Sequence, residues 1–322
     1  IQILARMVCQ CTLNFLGYSV LALIAYRILS AFYHILFPYF IGTPVDLYKK
    51  AGAKWAVVTG ATDGIGKAYA TQLAKKKFNV FLVSRTQSKL DETKKEIEAA
   101  APGIEVKTFA FDFSASTRDA YEPLIKELKK VEIGVLVNNV GMSFEYPEVL
   151  HATEGGLQRL ADMTTINCLP VVLLSAVALE QMSTRKAGIV INIASGAGYN
   201  EMSHWNVYSA AKRFVLHLSA ILRAEYADAG VTVQAIAPML VATKMAKIRR
   251  ASFFGPFADS FVAQALRSVG LVDDTTGYFS HQMQVELMNL LPRFVRDAII
   301  KKNTLAMRAG ALKKRAKEAK EQ

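Results

Sequence analysis

A doubly wound parallel α/β sheet forming a single domain, preceded by an N-terminal membrane helix segment, is the fold class that this 322-residue sequence predicts. Three observations predict it. Six short β-branched runs alternate with amphipathic stretches from Lys54 onward. The runs are almost continuously apolar, as parallel strands covered on both faces are. Ahead of them, residues 7–26 carry no charge.

The membrane segment comes first. Residues 7–26, MVCQCTLNFLGYSVLALIAY, would span about 30 Å as a helix, the thickness of a bilayer's hydrocarbon core. Arg27 ends this run, and a second apolar run over 28–42 is interrupted by Pro38. That run is short for a second span and reads as a re-entrant or interfacial piece. A cleaved signal peptide is disfavoured, because the apolar stretch is long and no small-x-small site precedes a polar start. Lys49, Lys50 and Lys54 follow, and the positive-inside rule then places the downstream domain in the cytosol; only Arg6 is visible on the other side.

The strands follow in order: WAVVTG (55–60), NVFLVSR (79–85), IEVKTFAFD (104–112), IGVLVNNVG (133–141), GIVINIAS (188–195) and VTVQAIAP (231–238). Stretches 64–77, 87–101 and 117–130 have helical periodicity. Such alternation implies right-handed crossovers and a ligand site at the carboxyl ends of the strands. The organisation expected is an anchor over 1–47, one α/β domain over 48–280, and an amphipathic helix with a basic tail over 281–322.

The net charge is +12, and residues 301–322 hold eight Lys/Arg against two Glu. The tail interleaves no aromatics with its basic residues, so a single-strand nucleic-acid binder is not indicated and no nucleic-acid partner is expected. A solvated terminal helix and an anionic membrane surface are the readings left open. The cysteines (9, 11, 168) are odd in number, and the five histidines (34, 151, 204, 217, 281) are scattered. Neither a disulfide framework nor a metal site is indicated.

Chemistry gathers at the strand ends. TGATDGIGKAYA places Gly60, Gly64 and Gly66 after the first strand and at the start of a helix. Glycines there let the backbone turn tightly and approach a pyrophosphate at the helix N-terminus. The second strand ends in Ser84 and Arg85, where an NAD-preferring site usually carries an acid. A guanidinium suits a 2′-phosphate, which favours NADPH; an ordinary solvated charge is the other reading of Arg85. Asp112, and Asn138, Asn139 and Gly141, sit where strands three and four should end, although turns favour these residue types anyway. In WNVYSAAKRF, Tyr208 and Lys212 lie one turn apart on a helix face, a spacing that an ordinary helix surface also shows.

TGATDGIG, NNVG, Asn167 in TTINCLP, Ser195 in INIASGAG and YSAAK occur in this order, with Ser195 thirteen residues before Tyr208. The chain resembles the short-chain dehydrogenase/reductase family over about residues 50–250, which implies a Rossmann-type domain. The resemblance implies Asn167, Ser195, Tyr208 and Lys212 as catalytic residues. It implies cofactor contacts from Gly60, Thr62, Asp63, Gly64, Ile65, Gly66, Arg85, Asp112, Asn139, Gly141, Tyr208, Lys212, Pro238, Val241 and Thr243. Two departures are NNVG for the commoner N-N-A-G, and Met239 after Pro238 where glycine is usual. Free tyrosine has a pKa near 10, and a neighbouring ammonium is expected to lower it. Ser195 would hold a substrate carbonyl against Tyr208. Asn167 is implied to support a water chain to Lys212, and Lys212 also to bind the nicotinamide ribose.

WAVVTGATDGIGKAYA, IGVLVNNVGMSFEYPE, VATKMAKIR and TTGYFSHQM are similar to a narrower branch of that family, the membrane-bound very-long-chain 3-oxoacyl-CoA reductases, also described as 17β-hydroxysteroid dehydrogenases. This implies NADPH-dependent reduction of a long-chain 3-oxoacyl-CoA at the endoplasmic reticulum membrane, with a steroid ketone as the alternative substrate. It further implies membrane lipid, a homodimer and other fatty-acid elongation enzymes as partners. Residues 239–300 would form the substrate side. Lys244, Lys247, Arg249 and Arg250 would receive coenzyme A phosphates, or else form a solvated or membrane-surface loop. Residues 281–300 read as core packing or as interfacial membrane contact. A non-catalytic NADPH- or lipid-binding membrane scaffold is the competing class, disfavoured because all four catalytic residue types are present.

Overall fold

The computed structural model describes residues 10–246 and 250–320. Arg6, Cys9, Lys247 and Arg249 therefore lie outside the described residues, as does the start of the apolar run at 7–9. Within them the chain begins with one long helix, α1 (Gln10–Leu36), which continues through Arg27. The two apolar runs are thus one helix rather than a span and a separate piece. Arg27 does not stop it, because it is exposed and its long side chain can lie along the helix. No proline intervenes until Pro38, which opens the π-type turn Phe37–Ile41. Thr12–Ile41 is long and apolar enough to cross a membrane, and only 6% of its most apolar window is buried.

After a short helix α2 (Leu47–Ala51), seven parallel strands form one sheet. They are β1 (Trp55–Thr59), β2 (Asn79–Ser84), β3 (Val106–Ala110), β4 (Ile133–Asn138), β5 (Gly188–Ile193), β6 (Val231–Ile236) and β7 (Asp274–Thr275). Their spatial order is β3-β2-β1-β4-β5-β6-β7. The order reverses between β1, which pairs with β2, and β4, and a crevice at the carboxyl ends follows from that reversal. The six expected strands are all present. β7 has only two residues, too few to carry a period. β3 departs from the expected two-sided cover: it is an edge strand, and only Val106 in it is buried.

Helices α3 (Gly64–Lys75), α4 (Gln87–Ala100) and α8 (Ala258–Ser268) cover one face, burying Leu73, Leu90, Ile97 and Phe261 with Val58, Val80 and Leu82. Helices α5 (Arg118–Leu128) and α6 (Gly156–Arg185) cover the other, burying Tyr121, Leu124, Leu174 and Met182 with Val57, Phe81 and Leu136. Val57 and Val58 point to opposite faces because strand side chains alternate. Each fully buried side chain of this size contributes roughly 1.5–3 kcal/mol. Asp63 caps α3 by accepting from Gly64 N, and Thr117 caps α5 through Ala120 N. Helix α6 is also long and apolar enough to cross a membrane, yet it buries Met163, Ile166, Leu174 and Leu179 in the domain core.

Helix α7 (Asn206–Glu225) precedes β6. Helix α9 (Phe279–Leu290) packs against α1, and α10 (Arg293–Glu318) follows across Leu291 and Pro292. A boundary at 280/281 falls inside α9. Helix α10 lies against the domain through Thr304, Arg308 and Arg315, so the basic tail is an ordered helix with ion-paired arginines on its inner side. Its lysines 301, 302, 313 and 314 stay exposed.

Candidate active site

The turn after β1 is built for close approach. Gly60 has φ +63, in the left-handed region, and a Cβ at Gly66 would overlap the Gly60 carbonyl oxygen. Thr59 Oγ1 accepts from Asn139 N at 2.9 Å and Val140 N at 3.0 Å, which locks the end of β4 to the turn. Asn139 Nδ2 donates to Thr59 O at 2.9 Å. Thr62 and Ser84 hydroxyls lie 2.9 Å apart, tying the turn to the end of β2. Arg85 follows, exposed, and forms no ion pair among the described residues. The segment after β6 arrives from the other side: Pro238 and Val241 are buried, and Thr243 Cγ2 would lie 3.1 Å from a Cβ at Gly64. Lys244 approaches Asp63 at 3.9 Å, and Arg250 is exposed. Ile65, half-buried, packs on the core beneath the turn. Asp112 turns inward on its own loop, accepting from Ser114 N at 3.0 Å and Oγ at 2.9 Å.

The cradle fits a dinucleotide carrying a 2′-phosphate. A turn without side-chain bulk opens the capped helix α3, and the Arg85 guanidinium stands at the end of β2 with no carboxylate partner among the described residues.

Deeper in the crevice, four groups converge. Ser195 follows β5, and Gly196 N donates to Pro238 O at 2.8 Å, which fixes the strand ends to each other. Tyr208 and Lys212 lie one turn apart on α7, with Lys212 Nζ 5.9 Å from the Tyr208 ring centroid. Lys212 is buried and donates to Ile193 O at 3.0 Å. Asn167 Nδ2 on α6 donates to Met142 O and Met163 O, both at 2.8 Å, and its Oδ1 accepts from Met142 N at 3.3 Å. A Cβ at Gly141 would lie 2.9 Å from Asn167 Oδ1 and 3.1 Å from Lys212 Nζ, so these atoms face the same point of backbone.

The electrostatics differ from the expectation at one point. Burial raises the Tyr208 pKa above its ordinary value, and the hydrogen bond with Ser195 offsets this only in part. Lys212 does not reverse the shift: its Nζ lies 5.9 Å from the ring centroid and donates to Ile193 O, and burial pushes its own pKa down to about 8. The phenol is therefore kept protonated.

Three residues that carry no local signal complete the site. His281 on α9 is fully buried. Its Nε2 donates to Leu240 O at 3.1 Å, which leaves Nδ1 to accept from Met239 N at 3.4 Å. Burial pushes its pKa down to about 4, so the ring is neutral. It thus pins the chain beside Pro238, where Met239 packs its sulfur over Gly196. Glu148 and Arg308 form the second device, an ion pair between the buried carboxylate on the loop before α6 and a half-buried guanidinium on α10. Burial alone would raise the Glu148 carboxyl, but Val149 N–H and Arg308 hold it below the usual carboxylate range. An open cavity of about 950 Å³ beside β3, lined by Lys54, Lys77, Asn79 and Lys107, shares no residue with this crevice.

The chain matches the short chain dehydrogenase family over residues 54–252. It is 58% identical over 316 residues to the very-long-chain 3-oxoacyl-CoA reductase let-767 of Caenorhabditis elegans, covering 98% of this chain and 100% of that protein. It is 49% identical over 298 residues to a C. elegans protein provisionally named steroid dehydrogenase 2, covering 92% of this chain and 95% of that one. Among solved structures, a short-chain dehydrogenase from Sphingobium yanoikuyae in complex with NADPH superposes with a TM-score of 0.57 at 26% identity, covering 64% of this chain and 80% of that one. A parallel sheet with its glycine turn at β1, a serine after β5 and a Tyr–Lys pair on α7, together with a match across most of the domain, make this chain a member of the short-chain dehydrogenase/reductase family.

Proposed function

We propose that this chain is a membrane-anchored, NADPH-dependent reductase of long-chain 3-oxoacyl-CoA, giving the 3-hydroxyacyl-CoA. The hydrogen-bonded Ser195 and Tyr208, with Lys212 buried one turn away, is the observation that carries the reading. The 58% identity to a 3-oxoacyl-CoA reductase supports the substrate class.

Gly60, Thr62, Asp63, Gly64, Ile65 and Gly66 would hold the pyrophosphate side of NADPH. Arg85 would hold the 2′-phosphate, and Asp112, Asn139, Gly141, Pro238, Val241 and Thr243 would line the remainder. The bound cofactor supplies the hydride. Ser195 Oγ donates to the substrate carbonyl oxygen and positions it against Tyr208. The Tyr208 phenol, protonated because burial raises its pKa, gives its proton to that oxygen as charge develops there. Lys212 stabilises the phenolate left behind and returns a proton to it, with Asn167 Oδ1 placed to support the relay.

The anchor is residues 1–47 and the catalytic domain begins at 48; the boundary near 280 is a functional one within α9, with the remainder of α9 and α10 (281–322) extending over the domain. The domain faces the cytosol from the endoplasmic reticulum membrane, as Lys49, Lys50 and Lys54 after the span suggest. A homodimer and contacts with other fatty-acid elongation enzymes belong to the same reading. The deciding experiment measures NADPH oxidation by the purified full-length chain with a long-chain 3-oxoacyl-CoA and with oestrone, side by side. Turnover of oestrone alone would replace the substrate with a steroid ketone, which the identity to a protein named as a steroid dehydrogenase favours as the second reading. NADPH binding without turnover of either would point to a scaffold.

A further inference from the structure

We infer that the loop at residues 250–257 seats Phe253 and Phe254 in the lipid interface beside the foot of α1, so that the mouth of the crevice opens onto the membrane surface. The inference rests on the proposed role of α1 as a membrane span. At that foot Phe40 and Ile41 are 59% and 67% exposed. From Phe40 a chain of ring contacts leads outward: Phe40 to Phe279 at 4.9 Å, Phe279 to Phe253 at 6.4 Å, and Phe253 to Phe254 at 4.9 Å. Phe253, Phe254 and Phe257 are 58%, 48% and 54% exposed. Contiguous apolar surface of this kind marks an interaction site rather than ordinary scatter.

The loop is held in place. Ser252 and Gly255 exchange backbone hydrogen bonds at 2.9 and 3.1 Å, and Ser280 Oγ on α9 donates to Phe253 O at 2.5 Å. Since α9 packs against α1, the tip is fixed relative to the span. It also lies on the chain that leaves β6 past Leu240, the segment His281 holds against the catalytic crevice.

Lipid is the occupant that fits. The rings continue the exposed apolar surface of α1, so whatever solvates that surface reaches the loop. Phenylalanine rings beside the end of a span suit the boundary between headgroups and acyl chains. Arg250, exposed at the edge of the loop, suits anionic headgroups. A long acyl chain would then pass from the lipid to the crevice without crossing water.

The test uses the full-length chain reconstituted in vesicles of phosphatidylcholine brominated near the headgroup end of its acyl chains, with single substitutions Phe253→Trp, Phe40→Trp and Glu92→Trp. Glu92 is exposed on α4, toward the opposite edge of the sheet. Quenching of the native Trp55 and Trp205 is subtracted. The expected result is quenching of Phe253→Trp comparable with Phe40→Trp and well above Glu92→Trp. Quenching at Phe40→Trp but not at Phe253→Trp would overturn the inference and leave the span intact. A blue-shifted but unquenched Phe253→Trp would also overturn it, by placing protein rather than lipid on the loop. If Phe40→Trp is itself unquenched, the span reading fails and the inference with it.

Discussion

Arg308 grips the carboxylate of Glu148 with both arms of its guanidinium: Nε donates to Oε1 at 2.8 Å and Nη2 to Oε2 at 2.9 Å. The pair links α10 to the loop ahead of α7, because Glu148 N donates to His204 O and Glu148 O accepts from Asn206 Nδ2. Removing one partner of a buried pair leaves an uncompensated charge. Arg308 is one-third exposed, so water softens that penalty. Arg308→Leu should therefore destabilise the domain by about 2 kcal/mol, measured by chemical unfolding in detergent. Adding Glu148→Gln should recover part of the loss, since a neutral amide is cheaper to leave unpaired. Equal stability of parent and Arg308→Leu would mean that the pair is only an exposed contact.

Tyr208→Phe removes the hydroxyl that meets Ser195 and nothing else. General acid catalysis contributes on the order of a hundred- to ten-thousand-fold, and kcat should fall by that much. Affinity for NADPH, followed by its fluorescence, should change by no more than about fivefold, because one hydroxyl contact contributes only about 1 kcal/mol. A variant within a few-fold of parental kcat would remove Tyr208 from the mechanism.

The guanidinium of Arg85 stands at the end of β2 with no carboxylate partner among the described residues. Charge-assisted contacts to a phosphate are worth roughly 1.5–3 kcal/mol. Arg85→Asp should shift the ratio of kcat/KM for NADPH over NADH by about ten- to a hundred-fold toward NADH. An unchanged ratio would show that Arg85 is an ordinary solvated charge.

What could be read from the sequence was what depends on near neighbours. The apolar runs of β1, β2 and β4–β6 announce themselves residue by residue, and so does the glycine turn at Gly60. Tyr208 and Lys212 gained meaning from Ser195 thirteen positions earlier, which is still a local pattern. Glu148 and Arg308 are 160 residues apart, and nothing in either neighbourhood names the other. His281 sat in a string matched for resemblance, but its bonds to Met239 and Leu240 exist only once α9 folds over the end of β6. The rise in the Tyr208 pKa was missed for a related reason: proximity to Lys212 is visible in the spacing, whereas burial of both groups is a property of the packed crevice.

Lys212 offers a pH signature. Burial lowers its pKa from 10.5 to about 8, so the ammonium begins to lose its proton in a mildly alkaline solution. The proposed relay needs the protonated form. Reductive kcat/KM should fall as pH rises through about 8, with the apparent pKa belonging to the coupled Tyr208–Lys212 pair. A profile flat to about pH 10, the ordinary range for a lysine, would mean that the ammonium is not the proton source.

His281 should make the domain acid-sensitive. Its pKa is about 4 in the folded chain against 6.5 for an ordinary imidazole, because burial disfavours the charged ring. Between those values the unfolded chain binds more protons than the folded one, so stability falls as pH drops from about 6.5 toward 4. A tenfold difference in proton affinity corresponds to about 1.4 kcal/mol, so the full loss is on the order of 3 kcal/mol. Protonation also takes Nδ1 away from Met239 N, loosening the chain beside Pro238 and Gly196. His281→Gln cannot titrate, and its amide can still offer one donor and one acceptor. It should start less stable at pH 7 but lose less between pH 6.5 and 4 than the parent, as followed by urea unfolding at each pH. Parallel pH dependences for the two proteins would show that the acid sensitivity arises elsewhere and that His281 does not hold this loop through a neutral ring.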